Sequence, residues 1–332
     1  ENNIYNKDVM VTVKVQEPNP YAGIKTIEYW VEADGKETQR QTLYSFDYVR
    51  DAGNNSNGGT LTITDWATGK ETKSEFEGEV PTQSQLKREW NGNIVVNSKK
   101  NNSSDVIVYV RTEDNAGNVG TDSVKLDIDI TRPEIKVSYD NNADNNGNGY
   151  FPANRTATVE IKKRTNHFNE EKANKGILIT AVDANGKAVD AGEMISAWKT
   201  TEGTTPDDAI HKATISYYAD ANYTFAISYR EQAGNVNKKV NTGTSVAPYQ
   251  FTVDKNAPTG TITSKTAEGR SDSFRRLVGR LTFGIWSKSE ITVSASAEDI
   301  TSPIASVQYY KTSDAQAITK KELNEITEWK NF

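Results

Sequence analysis

Three stretches of this chain carry residue types whose spacing could do chemistry. Asn142-Ala143-Asp144-Asn145-Asn146-Gly147 sets oxygen side chains at alternate positions with a glycine sixth, the opening of a calcium loop. Its twelfth position is Ala153, where a bidentate glutamate should close the shell, so a polar hairpin tip is the better reading. Asp114-Asn115-Ala116-Gly117-Asn118 and Glu231-Gln232-Ala233-Gly234-Asn235 each place one carboxylate ahead of Gly-Asn. One acid is too few for a cation, but it can accept local amides, and Gly117, Asn118, Gly234 and Asn235 tolerate positive φ, which makes a tight hairpin. Tyr44, Phe46, Tyr48 and Arg50 alternate along one stretch and Thr62, Thr64 and Trp66 along the next. Aromatic residues and arginine anchor interfaces, and aromatic rings stack on sugars, so this row is the candidate binding site. The competing reading is packing of the row against its own fold.

Catalysis finds no foothold in the residue types. Cysteine is absent, which removes thiolate nucleophiles, thiolate zinc sites and disulfides, and leaves stability to packing alone. Two histidines, His167 and His211, have no partner motif, and structural or exposed roles are the default for both. There is no Gly-x-Ser-x-Gly elbow, phosphate-binding glycine loop or His-Glu-x-x-His, and neither cofactor nor metal is expected. With 45 acidic residues some carboxylate pair always exists, but narrow sandwiches offer no deep cleft. The net charge of −6 argues against a nucleic-acid face, and the one basic cluster (Arg270, Arg275, Arg276, Arg280) reads as a solvated loop. No window reaches the length of a membrane span.

The elements that must position these residues are strands. Val9, Val11, Val13 and Val15 alternate with polar residues, as do Ala157, Val159 and Ile161, and Tyr223, Phe225, Ile227 and Tyr229. At 332 residues, 35 % hydrophobic and a mean hydropathy of −0.71, the chain suits several small domains with thin cores rather than one large core.

Met10–Trp30 recurs at Glu290–Tyr310 without a gap, each apolar position of one matching an apolar position of the other 280 residues on. Two proline-ended phrases, Asp129–Pro133 and Asp254–Pro258, each lie between alternating strands and read as module joints. They divide the chain into 1–131, 132–256 and 257–332. Against its repeat, the first module carries an added segment near 37–80, read as a hairpin of Leu43–Val49 and Thr60–Trp66. Thr82–Gln85 and Thr319–Glu322 read as paired capping boxes.

The joints, the acidic-x-Ala-Gly-Asn hairpins and the strand Gly23–Trp30 together resemble the bacterial Ig-like repeats of Gram-positive cell-surface proteins. The resemblance covers nearly the whole chain and is specific for architecture, not for ligand. It implies an all-β fold of tandem immunoglobulin-like antiparallel sandwiches, two near-complete and a truncated third, with neighbouring modules of the same parent as partners. Asp220-Ala221-Asn222-Tyr223 looks like the tyrosine corner of such sandwiches, with Val106 near the equivalent place in the first module. The expected setting is extracellular, at the bacterial surface. The expected role is non-enzymatic adhesion to a host protein, immunoglobulin included, or a glycan. The alternatives are a passive stalk and the accessory region of a surface glycosidase. The ruler of the repeat also suggests a piece cut at both ends: the first module lacks an opening strand or obtains it from elsewhere, and the third is incomplete. Half a sandwich exposes an apolar face and an unpaired edge. Amides of 257–332 are therefore expected to exchange fastest; slow exchange there in a monomeric sample would contradict this.

Overall fold

The computed structural model describes residues 4–18, 21–51, 58–142, 148–238, 250–266, 291–311 and 325–332. The basic cluster at 270–280, the calcium-like tip at 143–147 and the second capping box at 319–322 lie outside them, as does the 52–57 tip of the added segment. The fold is all-β, a tandem of Ig-like antiparallel sandwiches.

The first sandwich runs β1 (Ile4–Tyr5), β2 (Val9–Gln16), β3 (Ile24–Ala33), β4 (Lys36–Glu37), β5 (Gln41–Arg50), β6 (Gly58–Asp65), β7 (Lys70–Glu77), β8 (Glu89–Val96), β9 (Val106–Asp114) and β10 (Val119–Ile128). One sheet has the order β1-β10-β9-β3-β5-β6-β7, with β4 on β3, and β2-β8 faces it. Strand alternation turns Val13, Ile27, Val31, Ile94, Val108 and Leu126 into one buried cluster between the sheets. The added segment is not a projecting hairpin. β5 pairs with β3, and β6 and β7 follow, so three strands widen the main sheet. The register of β3 on β5 shifts between Ile27 and Glu28, which leaves Leu43 without an opposite residue and lets it and its neighbour Tyr44 both point inward. The first capping box closes a short turn at Gln83–Gln85, where the Thr82 amide donates to Gln85 Oε1 at 3.0 Å.

The second sandwich runs β11 (Glu134–Tyr139), β12 (Tyr150–Phe151), β13 (Arg155–Lys162), a short helix α1 (Glu170–Lys175), β14 (Ile177–Val182), β15 (Lys199–Thr201), β16 (Ile210–Tyr217), β17 (Ala221–Ile227) and β18 (Gln250–Val253). Its sheets are β11-β13-β16-β15 and β12-β18-β17-β14. The Tyr223 hydroxyl donates to the Ala219 carbonyl at 2.9 Å, the bond of a tyrosine corner. At one end of this core lies Arg155, wholly buried, its guanidinium 3.7 Å from the Tyr139 ring centre, 3.9 Å from Phe151 and 4.6 Å from Phe251. Its Nε donates to the Asn141 carbonyl at 2.8 Å. Rings on several sides replace water around a weakly hydrated cation.

Beyond Pro258, β19 (Thr259–Thr266) pairs with β20 (Ile291–Glu298), and β21 (Gln308–Tyr309) with β22 (Lys330–Asn331). Among the described residues here only Thr301 is buried, while Ile262, Ile291 and Val293 stay open to water.

Lysine cannot reproduce the flat stack of Arg155. Arg155→Lys is expected to lower the stability of the second sandwich by about 2 kcal/mol, read from the midpoint of urea unfolding.

Candidate functional site

The two acidic hairpins fold as their chemistry requires. Asp114 Oδ1 accepts the amides of Ala116 at 2.9 Å and Asn118 at 2.8 Å, and Oδ2 accepts the Asn118 side chain at 2.8 Å. Burial opposes the charge, but these bonds hold the Asp114 carboxyl below its usual range. Glu231 repeats the pattern with the amides of Ala233 and Asn235. Gly117 and Gly234 take φ of +87° and +93°, where a side chain would be strained.

The second hairpin does more than close itself. Asn235 Nδ2 donates to Glu231 at 2.6 Å and to the Asp129 carbonyl at 2.8 Å, so it reaches the end of the preceding sandwich. Asp129 has no exposure to water. Its Oδ1 accepts the Thr131 amide at 2.9 Å, and its Oδ2 accepts Lys163 Nζ at 2.7 Å and His167 Nδ1. Lys163 also donates to the Thr131 carbonyl. His167 Nε2 meets Asp127 Oδ2 at 2.8 Å. Neighbouring Arg164 binds Asp207 at 2.7 Å. The first proline phrase is thus a joint in which charges from both sandwiches are buried together.

Protonation in the joint follows from who can donate. Both ring nitrogens of His167 face ionised carboxylates, which only accept, so both carry protons. Burial works against that imidazolium, yet the hydrogen bonds and charges of Asp129 and Asp127 raise its pKa above the ordinary histidine value. Burial likewise works against the Asp129 anion, and the bonds from His167 and Lys163 overcome it, holding the carboxyl at about 2. His211 is the opposite case. Its Nε2 donates to the Lys163 carbonyl at 2.9 Å, its Nδ1 accepts from Thr200 at 2.8 Å, and Phe168 stacks on it at 3.9 Å; burial lowers its pKa and keeps it neutral.

Asp129, His167 and Glu231 bring potential metal ligands within 4.8 Å of one another. Each is already committed. Lys163 supplies the cation for Asp129, His167 offers no lone pair, and both Glu231 oxygens hold hairpin amides. The cluster fits an ammonium and an imidazolium better than a metal ion. Neither histidine has an idle ring nitrogen to serve as a general base.

The aromatic row divides. Tyr44 and Phe46 are 0 % and 1 % exposed and belong to the core, because the bulge beside Leu43 turns their face inward. Tyr48 is at the rim, 39 % exposed, its ring edge-on to Phe76 at 5.6 Å. Arg50 is exposed at the far end of β5. Trp66 is 60 % exposed, but its amide bonds the Leu43 carbonyl at the near end of the strand. Six residues of β5 separate Leu43 from Val49, about 20 Å at the rise of a strand, so Trp66 and Tyr48 do not form one strip.

A different group comes together on the outer face of the main sheet. Trp30 on β3 stacks on Tyr109 of β9 at 5.1 Å between ring centres, and the Arg40 guanidinium lies 4.4 Å from the Trp30 ring. Tyr109 donates to Glu32 at 3.1 Å, and Arg111 bridges Glu113 and Glu28 beside it. The spacing of Trp30 and Tyr109 in sequence conceals this; only the register Trp30↔Tyr109 makes them neighbours.

No protein-family model matches the chain, and no curated protein matches it. Among solved structures, murine CEACAM1b is similar over 76 % of this chain and 91 % of that one, at 9 % identity and a TM-score of 0.24.

Removing one partner of a buried charge set costs about 3–5 kcal/mol, so His167→Gln is expected to destabilise the joint by that order in urea unfolding at pH 6. The pH dependence has a defined sign. The His167 contribution is complete below the ordinary histidine pKa of about 6.5 and is lost as pH rises through its raised value; that of Asp129 is complete above about 3.9 and is lost as pH falls through about 2. The variant should lack the wild-type decline above pH 6.5. In NMR titration His167 should lose its proton at higher pH than His211.

Proposed function

We propose that this chain is a non-enzymatic binding segment of a bacterial cell-surface protein, built of tandem Ig-like repeats, whose partner is a host macromolecule, with a protein such as an immunoglobulin ranked ahead of a glycan. The observation that carries this reading is the outer face of the widened sheet. It presents the Arg40–Trp30–Tyr109 stack and continues across β5–β7, where Thr62 and Thr64 stand between Asp47, Lys73 and the exposed Val49. Tryptophan, tyrosine and arginine are the residue types that dominate binding energy at protein interfaces. Tyr48, Arg50 and Trp66 border the same extension and serve as its rim. A module that only holds its neighbours apart needs none of these strands.

The second reading is a passive stalk, and the buried joint favours it, since charges shared by two sandwiches resist bending between them. The net charge of −6 favours neither nucleic acid nor an acidic surface as partner.

The test is to present the immobilised chain with serum proteins, mucins and a glycan array. Specific capture at micromolar concentration is expected. Arg40→Glu combined with Trp66→Ala should weaken it by about tenfold or more, roughly 1.4 kcal/mol, with an unchanged melting temperature. Absence of capture at micromolar concentration would leave the stalk reading standing.

A further inference from the structure

The first two sandwiches begin alike with one difference. β1 runs parallel to β10 with Ile4 opposite Asp127 and Tyr5 opposite Ile128, and β12 runs parallel to β18 with Tyr150 opposite Thr252 and Phe151 opposite Val253. The Asp129 amide then bonds the Tyr5 carbonyl at 2.8 Å, and the Asp254 amide bonds the Phe151 carbonyl at 3.0 Å. β2 starts five residues after β1, as β13 does after β12. Val11, Val13 and Val15 therefore correspond to Ala157, Val159 and Ile161.

In the second sandwich those three residues are covered by an opening strand. β11 pairs antiparallel with β13, setting Tyr139, Val137 and Ile135 opposite Ala157, Val159 and Ile161, and all six are buried. In the third region the 280-residue echo equates β2 with β20, and β19 lies antiparallel on it, with Ile262 opposite Ala295 and Ser264 opposite Val293. The first sandwich has no such strand among the described residues. Its β2 pairs only with β8, and Val11 and Val15 stay half-buried.

A cavity of about 340 Å³ opens where that strand would lie. Its walls are Val11–Gln16 of β2 and, across from them, Val108, Val110 and Gly120–Val124. Val11–Gln16 are the counterparts of 291–296, the residues that pair with 261–266 in the third region. The β2 edge has eight residues, no proline and no register break, and its charge, Lys14, points to water. Natural edges left open are usually short, charged toward the pairing side or bulged.

We infer that the free edge of β2 is a strand-acceptor site. It is filled, antiparallel, by an extended segment of six to eight residues of the kind that β11 and β19 supply, with branched or aromatic apolar side chains at every second position. The main chain of the segment completes the sheet, and its apolar side chains fill the groove over Val108, Val110 and Val124, the two-part recognition of β-strand addition.

The experiment adds a synthetic peptide with the sequence of residues 132–140 to the whole chain and follows amide exchange. Exchange across Val11–Gln16 should slow at least tenfold, and a peptide with serine in place of the residues matching Ile135, Val137 and Tyr139 should have no effect. Val124→Lys places a charge on the open wall of the groove and should abolish the protection while leaving the melting temperature unchanged; Thr121→Lys serves if that variant is unstable. No slowing at millimolar peptide, equal slowing by the serine peptide, or protection that survives both variants would overturn the proposal. So would protection of β2 that rises with protein concentration in the absence of peptide, because the occupant would then be a second copy.

Discussion

A carboxylate without access to water sits where two sandwiches meet, and the local architecture answers to it. Moving an ion of this size out of water costs several kcal/mol even after relaxation, so Asp129 can exist as an anion only if its neighbours arrive with protons and charge. They come from the following sandwich: Lys163 and His167 from the segment after β13, and Asn235 from the last hairpin. The last residues of one module are thereby part of the hydrogen-bonding of the next. Neither a methyl nor an amide at position 129 could play this part, because Lys163 and His167 would be left as unmatched cations in the same enclosed space.

Much of the fold was legible from alternation alone. The strands around Val9–Val15, Ala157–Ile161 and Tyr223–Ile227 need only a period of two, and the acidic hairpins need only residues within five positions of one another. What local pattern could not reveal was anything that depends on register. Tyr44 and Phe46 look like a surface row until the bulge opposite Leu43 is known, after which the same alternation points them inward. The 37–80 segment reads as a projecting hairpin because its third strand, Lys70–Glu77, is almost wholly charged and polar; it pairs as an exposed edge, where such residues are favourable.

The charged residues of the joint were the hardest to foresee. His167 lies 38 positions from Asp129, and nothing near it marks a partner. Arg155 occupies an inward position in an alternating strand where an aliphatic residue would be expected, and only the meeting of Tyr139, Phe151 and Phe251 explains a cation there. The outward stack of Arg40, Trp30 and Tyr109 draws on three separate segments in the same way. Fold class is written in short-range pattern, whereas these sites are written in long-range pairing.

The parallel pairs at the start of each sandwich bear on how the chain meets traction. In the second sandwich β12, near the point of entry, runs alongside β18, which leads directly to the exit. When the two ends are drawn apart, such strands slide along their common axis, and the bonds between them are strained together. A hairpin pulled open from its end would give them up one by one. Resistance to stretching is thus set by a cooperative shear of β12 against β18, with the Asp254 amide on the Phe151 carbonyl among the bonds that must yield with it.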